Sequence, residues 1–190
     1  MSTVKVIGSV GYVKLSKNLL KVLLSSRSQE TGRYTLAGIQ IKRVNDVVTL
    51  TTTDTFQITI VRIESEGPDF EVVLTHREFM NRVVDKGTNI REAQIDLINL
   101  LDDERFNVEG KYPKWENILP DNCEKKAIEF SSYGVNTHEG FYNLKFLDAI
   151  QELMEETQIV GKLKENHCED PVRFEGENFT YVISPINPKD

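Results

Sequence analysis

Polar and apolar residues alternate from position 33 to position 63, and this pattern predicts three consecutive strands. The apolar positions of the first strand are Leu36, Gly38, Ile39 and Ile41. Asn45 and Asp46, which favour two-residue turns between antiparallel strands, separate it from the β-branched run Val47–Thr53. A third run, Phe56–Ile63, follows a turn made of Thr53, Asp54 and Thr55. The region therefore predicts an antiparallel three-stranded meander.

Apolar residues at helical spacing predict an amphipathic helix ahead of the meander. Ser16 is positioned to cap this helix within the segment Lys14–Arg27, and a short strand, Gly11–Leu15, leads into it. The buried stripe of the helix would consist of Leu19, Leu20, Val22, Leu23 and Leu24. The strand, the helix and the meander together form one β-α-β-β-β module.

A second strand-helix-strand unit is predicted after the meander. Phe70–Leu74 forms its first strand, and Thr75 and Glu78 form a capping box that opens a helix through Lys86, before Gly87. The inward residues of this helix would be Phe79, Met80, Val83 and Val84. The strands that follow it are predicted at Glu92–Leu101 and Glu104–Val108.

The last third of the chain again combines strands with one helix, which is predicted at Asn143–Glu156. Its inward residues would be Phe146, Leu147, Ile150, Leu153 and Met154. The strands of this region are predicted at Lys126–Ser132, Gly161–Glu165, Pro171–Glu175 and Phe179–Ile186. A third module is therefore expected.

Length and composition limit the class of protein. At 190 residues the chain can bury its own core as one large domain or two small ones. Because no apolar run is long enough for a membrane span and the N-terminus lacks the apolar region of a signal peptide, we expect a cytoplasmic protein without a membrane partner. Cys123 and Cys168 stand in no metal-binding or disulfide pattern, and we expect free thiols.

Charge is unevenly distributed along the chain. The net charge of −7 argues against a DNA-binding protein, but residues 1–27 contain five basic residues and no acidic residue. Residues 121–190 contain seven basic and fourteen acidic residues. This asymmetry weakens the argument against DNA binding, because positive charge is concentrated where the first helix is predicted.

The sequence contains no recognisable catalytic constellation. His76, His138 and His167 are dispersed, and there is no nucleophile elbow or phosphate-binding glycine loop. His167 and Cys168 offer two metal ligands, but no second pair stands at a usable spacing, and a solvated acidic loop is the alternative interpretation. We therefore expect no enzymatic activity, no metal and no cofactor.

Three motifs resemble the bacterial DNA polymerase III beta subunit, the sliding clamp. The motif of the family's middle domain consists here of Arg33, Tyr34, Leu36, Gly38, Ile39, Thr53, Asp54, Gln57 and Ile58. Glu109–Pro120, with its glycine, two prolines and two aromatic residues, resembles the segment that links the family's middle and last domains. Phe179–Ile186 resembles the end of the last domain, with Ser184 where the family usually has methionine.

The resemblance implies an α+β, DNA-clamp-like fold of repeated β-α-β-β-β modules with antiparallel sheets and amphipathic helices. Residues 1–120 would form a clamp-like domain of two modules, and residues 121–190 a partial domain of one module. The chain would then correspond to the middle domain and the second half of the last domain of a truncated clamp. Because cellular clamps are longer, a mobile element is suggested as its origin.

The resemblance also implies an apolar groove that binds the short linear motifs of DNA polymerases and other partner proteins. The corresponding positions are Leu36, Thr53, Thr55, Phe56, Gln57, Ile58, Pro113, Ile118, Val182, Ser184, Pro185 and Ile186. The alternative is that these residues form only a core between domains.

In the family, basic helix faces line a central hole and contact phosphates of double-stranded DNA without reading bases. The corresponding residues are Lys14, Lys17, Lys21, Arg27, Arg77, Arg82 and Lys86. An ordinary solvated face is the alternative for these residues. The third predicted helix carries mainly acidic residues and is a poor DNA surface.

Two functions are consistent with this resemblance. The first is a clamp-like accessory protein that binds DNA non-specifically and increases the processivity of a polymerase. The second is a peptide-binding regulator or decoy that competes with the cellular clamp without encircling DNA. Because three modules are an odd number and each family domain pairs two, we expect a monomer or small symmetric homo-oligomer rather than a closed ring.

Overall fold

The computed structural model describes residues 11–29, 34–83, 92–97, 112–115, 124–125, 130–131, 134–135, 160–163 and 171–184, and five helical positions between 146 and 153. The described strands are β1 (Tyr12–Ser16), β2 (Ile39–Val44), β3 (Val47–Thr53), β4 (Gln57–Glu64), β5 (Phe70–Leu74), β6 (Glu92–Asp96), β7 (Glu124–Lys125), β8 (Phe130–Ser131), β9 (Gly134–Val135), β10 (Val160–Leu163), β11 (Val172–Glu175) and β12 (Phe179–Ile183). The described helices are α1 (Lys17–Ser25), α2 (Tyr34–Ala37) and α3 (His76–Arg82).

An eight-stranded antiparallel sheet dominates the fold, in the order β5-β2-β3-β4-β12-β11-β10-β7. The meander β2–β4 and the strand β5 that follows it supply one half, and the strands of the third module supply the other. The halves meet where β4 pairs with β12, with Ile58 opposite Val182. Strands β1 and β6 form a separate pair, as do β8 and β9. This α+β fold of antiparallel sheets agrees with the predicted fold class.

Short sequence patterns predicted several boundaries of helices and strands correctly. Asn45 and Asp46 adopt positive φ angles of 50° and 61°, and they form the predicted two-residue turn between β2 and β3. Ser16 caps α1, because its side chain accepts a hydrogen bond from the backbone nitrogen of Leu19 at 3.1 Å. The capping box of Thr75 and Glu78 at the start of α3 is also confirmed.

Two predicted elements were wrong in extent. Residues 34–37 form the short helix α2 instead of the beginning of a strand. The strand begins only at Ile39, where β2 gains its partner Leu74 in β5. Helix α3 ends at Arg82 rather than Lys86, because Val83 adopts an extended conformation and bridges to Ile95.

Of the predicted strand Lys126–Ser132, the structure describes only Phe130 and Ser131, and both are in a strand. These two residues form β8, which pairs with β9, and Glu124–Lys125 just before the predicted strand forms β7, which pairs with β10 in the large sheet. Several predictions lie outside the described residues, and these are Val84, Gly87, Glu104–Val108, Leu147 and Met154, together with the thiols Cys123 and Cys168 and the histidines His138 and His167.

One hydrophobic core lies on the face of the sheet that α1 covers. Leu19, Val22 and Leu23 of α1 are buried in it as predicted, whereas Leu20 and Leu24 are only partly buried at its edge. Ile150 and Leu153 belong to the same cluster. The third module therefore packs onto the first within one chain. None of the helices in the described ranges is long and apolar enough to cross a membrane.

Candidate functional site

A cavity of about 120 Å³ opens at the junction of β4 and β12. It lies on the outer face of the sheet, because Ile58 and Val182 alternate with residues that point into the core under α1. The cavity is lined by Thr53, Thr55, Phe56, Gln57, Ile58, Pro113, Trp115, Pro171, Val182 and Ser184.

Most of the residues that line the cavity belong to the groove that the sequence predicts. Eight of the predicted positions lie around the cavity, namely Thr53, Thr55, Phe56, Gln57, Ile58, Pro113, Val182 and Ser184. Leu36 does not line the cavity. It belongs to α2, and its carbonyl accepts a hydrogen bond from the backbone nitrogen of Ser28. Ile118, Pro185 and Ile186 lie outside the described residues.

Two lining residues, Trp115 and Pro171, were missed. Trp115 is one of the two aromatic residues of the Glu109–Pro120 motif, so its position in that motif was an available signal. The sequence predicts Pro171 only as the start of a strand. No local pattern in the sequence indicates that it faces a cavity.

The floor of the cavity is apolar. Ile58 and Val182 lie side by side across the β4–β12 junction and form a buried cluster with Ile60, against which Trp115 packs. Packed apolar side chains at a cavity floor offer a surface that excludes water from an apolar ligand group. This floor is therefore suited to an apolar side chain.

The segment 112–115 forms one wall and is held against the outer face of the meander. The Tyr112 hydroxyl donates to the Thr51 carbonyl at 3.1 Å, and Trp115 Nε1 donates to Gln40 Oε1 at 3.2 Å. Burial raises the pKa of Tyr112 far above its ordinary value, so its hydroxyl remains a proton donor. These bonds fix Trp115 beside the cavity.

The turn between β3 and β4 forms the opposite rim. The Asp54 carboxylate accepts hydrogen bonds from the backbone nitrogens of Phe56 and Gln57, both at 2.9 Å. Thr55 has a φ of 84°, a left-handed conformation that is unusual for a β-branched residue. Phe56 is 54% exposed at the mouth of the cavity, and its carbonyl accepts from the Ser184 nitrogen at 2.7 Å. The turn thus holds an aromatic ring at the rim.

A buried polar bridge supports this rim from the core side. The Tyr181 hydroxyl lies 2.8 Å from Gln57 Oε1 and 3.0 Å from the Phe146 carbonyl oxygen. Gln57 Nε2 donates to the Ser25 carbonyl at 3.1 Å and to the Asp54 carboxylate at 2.9 Å. Burial, with a contribution from the Asp54 charge, raises the pKa of Tyr181 well above its usual range. The hydroxyl therefore stays protonated and links the third module to the turn.

Comparison with known proteins identifies the fold. No protein-family model matches the chain, and no curated protein matches it. The DNA polymerase sliding clamp of Pseudomonas aeruginosa superposes with a TM-score of 0.61 at 13% identity, over 93% of this chain and 67% of that one. The DNA polymerase III beta chain of Streptococcus pneumoniae superposes with a TM-score of 0.60 at 14% identity, over 98% and 67%. This chain has the sliding-clamp fold.

A third sliding-clamp structure, the DNA polymerase III beta subunit of Thermotoga maritima, gives a TM-score of 0.57 at 11% identity over 98% of this chain and 68% of that one. This chain thus corresponds to about two thirds of each clamp chain. At such low identity the similarity establishes the fold and not the residues of a site.

The described residues of the predicted DNA surface lie on β1, α1 and α3 and, for Arg27, in the segment that follows α1. Lys14 is exposed on β1, where its Nζ lies 3.9 Å from a carboxylate oxygen of Glu92. Lys17 and Lys21 lie one turn apart on α1. The remaining described residues of the predicted DNA surface are Arg27, Arg77 and Arg82. Lys86 lies outside the described residues.

Arg27 and α3 are close in space. Burial, together with the positive charge of Arg27, lowers the pKa of His76 at the start of α3, so that this histidine is neutral at neutral pH. Arg77 is exposed on the same helix, whereas Arg82 Nη1 donates to the Asp96 carbonyl at 3.5 Å. The basic charge near α3 therefore comes from its arginines and Arg27.

Among the described residues, no three His, Cys, Asp or Glu side chains form a cluster that could hold a metal ion.

Proposed function

We propose that this chain is a clamp-like accessory protein of a DNA polymerase, with two binding functions. The first is to hold a short apolar segment of a partner protein in the cavity at the β4–β12 junction. The second is to contact double-stranded DNA without sequence preference through basic residues of α1 and α3. The observation that carries the proposal is an apolar cavity with an exposed aromatic rim, in a fold shared with solved sliding clamps.

The size of the cavity supports the first function. Its volume of about 120 Å³ is of the same order as apolar protein cavities that hold one benzene molecule. One apolar side chain of a partner segment fills such a space, and the exposed Phe56 ring provides a second contact at the rim. A segment anchored by a few side chains should bind with micromolar affinity, about 8 kcal/mol.

Phe56→Ala should weaken binding of a clamp-binding peptide about 5- to 30-fold, which corresponds to about 1–2 kcal/mol for an anchor contact. The affinity should be measured by isothermal titration calorimetry with the full chain. Because the Phe56 ring is more than half exposed, its removal should leave the fold intact.

Val44→Ala is the matched control for Phe56→Ala. Val44 is the other large exposed apolar residue in the described part of the chain, at 40%, and it lies at the β2–β3 turn rather than in the cavity lining. Its replacement should leave peptide affinity unchanged. Equal affinities of wild type and Phe56→Ala would show that the peptide does not use this rim.

The second function is tested by the salt dependence of DNA binding. The logarithm of the affinity should fall with the logarithm of salt concentration by about 0.9 for each phosphate contact. Replacing both Lys17 and Lys21 by glutamine should weaken binding on the order of tenfold and reduce that slope by about 2. Fluorescence anisotropy with duplexes of unrelated sequence measures both quantities.

The control for the DNA experiment is Lys42→Gln, which removes one positive charge from β2, outside the predicted DNA surface. Lys42 pairs with Glu71 at 3.6 Å, so the loss of its charge should not alter DNA affinity. Full affinity in the double variant would assign the DNA contact to another surface.

A peptide-binding regulator is the second candidate function. The observation that favours it is the net charge of −7, which opposes DNA binding over most of the surface. Peptide binding without measurable DNA binding at low salt would support this candidate over the processivity factor.

A further inference from the structure

The Trp115 ring, a wall of the cavity, is held on the outer face of the sheet by three contacts. It packs against the apolar cluster that contains Ile58 and Val182. The Arg62 guanidinium carbon lies 6.0 Å from the centre of the ring, and the ring nitrogen Nε1 donates to Gln40 Oε1 at 3.2 Å. Apolar packing is non-directional, whereas a hydrogen bond requires a defined distance and angle. The bond to Gln40 therefore selects the orientation of the ring.

Gln40 is itself fixed by a residue of another strand. Its side chain lies on β2, it is only 7% exposed, and its Nε2 donates to Glu71 Oε1 on β5 at 2.8 Å. The second carboxylate oxygen of Glu71, Oε2, lies 3.6 Å from Lys42 Nζ. A chain of polar contacts thus runs from β5, at one end of the strand order, through Gln40 to Trp115.

The groups at the two ends of this chain determine which way the Gln40 amide points. An ionised carboxylate only accepts hydrogen bonds, and an indole nitrogen only donates them. The side chain between them must donate to Glu71 and accept from Trp115, and an amide does both in one orientation. The reverse orientation would leave the indole donor unpaired, which is costly where water is excluded. Glu71 therefore orients Gln40, and Gln40 orients Trp115.

We propose that Gln40 and Glu71 are positioning residues for the candidate peptide site, where they hold the Trp115 ring as a preformed wall although neither side chain lines the cavity. This inference rests on the proposed peptide function. A preformed wall raises affinity, because binding then does not have to order a mobile side chain. The inference gives β5 an effect on binding at a junction three strands away in the sheet.

The test uses two measurements on the full chain. Trp115 is the single tryptophan of the sequence, so acrylamide quenching of intrinsic fluorescence reports the exposure of this ring without any peptide. Gln40→Leu keeps the bulk of the side chain and removes the acceptor. It should increase quenching and weaken binding of the clamp-binding peptide about fivefold, the factor that corresponds to the loss of one hydrogen bond. The matched control is Gln94→Leu, at a partly buried glutamine on β6 outside the large sheet, and it should change neither measurement.

A second variant tests the same contacts without altering a buried position. Glu71 is exposed, so Glu71→Ala should leave the fold intact while it removes the group that orients the Gln40 amide. Quenching should increase and peptide affinity should fall, both by less than in Gln40→Leu, because the acceptor for Trp115 is still present.

Exchanging the two side chains separates positioning from packing. Gln40→Glu alone places two carboxylates next to each other, and it should disturb both measurements because like charges repel. In Gln40→Glu/Glu71→Gln the carboxylate stands at position 40, where it can accept from both the Trp115 nitrogen and the amide at position 71. Both hydrogen bonds keep a donor and an acceptor. The double variant should therefore return both measurements to within about twofold of wild type, since residues in contact are not additive.

Unchanged quenching and affinity in Gln40→Leu would overturn the inference while leaving the peptide function intact. A double variant that is no better than Gln40→Glu would do the same, because packing alone predicts no recovery. Failure of the wild-type chain to bind the peptide would instead overturn the proposed function and this inference with it.

Discussion

Replacing Tyr181 by alanine should lower the free energy of unfolding by about 3–5 kcal/mol, as for other large buried aromatic residues. Tyr181 is fully buried, and its ring packs against Phe174 with centroids 5.8 Å apart. Its removal would leave a cavity at the point where the third module joins the first. We therefore expect the largest loss of stability from this single truncation.

Tyr181→Phe tests the polar part of the same junction. Loss of the hydroxyl leaves Gln57 Oε1 and the Phe146 carbonyl without this donor in a buried site, which should cost about 1–3 kcal/mol. The rim should also loosen, because Gln57 follows directly after Phe56. Peptide affinity should therefore fall in Tyr181→Phe, although the hydroxyl does not line the cavity.

Urea unfolding followed by circular dichroism measures both stability changes. Tyr12→Phe is the matched control, because Tyr12 is only partly buried on β1 and the same hydroxyl is removed. It should change stability by less than about 0.5 kcal/mol, as expected for a substitution near the surface. Equal losses in Tyr12→Phe and Tyr181→Phe would show that the buried polar bridge does not stabilise the junction.

The elements that the sequence predicted well are those whose boundaries depend on residues close by in the chain. Asn45 and Asp46 tolerate left-handed backbone, so the β2–β3 turn could be located from two residues. The caps at Ser16 and Thr75 depend on side chains within three residues of the bonds they make. Such contacts are encoded in short segments, and a single sequence is enough to find them.

The elements that the sequence did not predict depend on distant partners. Residues 34–37 could form a strand only if β5 extended far enough to pair with them. The pairing of β2 with β5 starts instead at Ile39 and Leu74, and no local pattern in the sequence indicates this limit. The end of α3 depends on the bridge from Val83 to Ile95. In both cases tertiary pairing overrode an apolar pattern that fitted another structure.

The candidate site likewise combines features that neighbouring residues indicate with features that depend on distant strands. The turn chemistry of Asp54 was visible in the sequence, whereas the positive φ of Thr55 was not, because β-branched residues disfavour that region. The junction of β4 with β12 brings together residues such as Arg62 and Thr180, which are 118 positions apart. Only the resemblance to the clamp family placed Thr53 and Val182 in one groove.

Ser184→Phe should abolish measurable peptide binding, which means a loss of at least about 100-fold, or about 2.8 kcal/mol. Ser184 lines the cavity and is partly exposed, so a larger side chain can enter the cavity in place of the partner's anchor. Its backbone nitrogen would still donate to the Phe56 carbonyl, since that bond does not use the side chain. The fold should therefore survive a change that fills the site.

Ser184→Ala separates blocking from the loss of the serine hydroxyl. It keeps the cavity open, and peptide affinity should stay within about twofold of wild type, because surface polar groups contribute little. Calorimetry with one peptide, preceded by thermal unfolding of each variant, gives the comparison. If Ser184→Phe folds and still binds the peptide as wild type does, the anchor must lie elsewhere on the sheet. If it loses binding while Ser184→Ala keeps it, the occupied volume of the cavity, and not the chemistry at position 184, controls access for the partner.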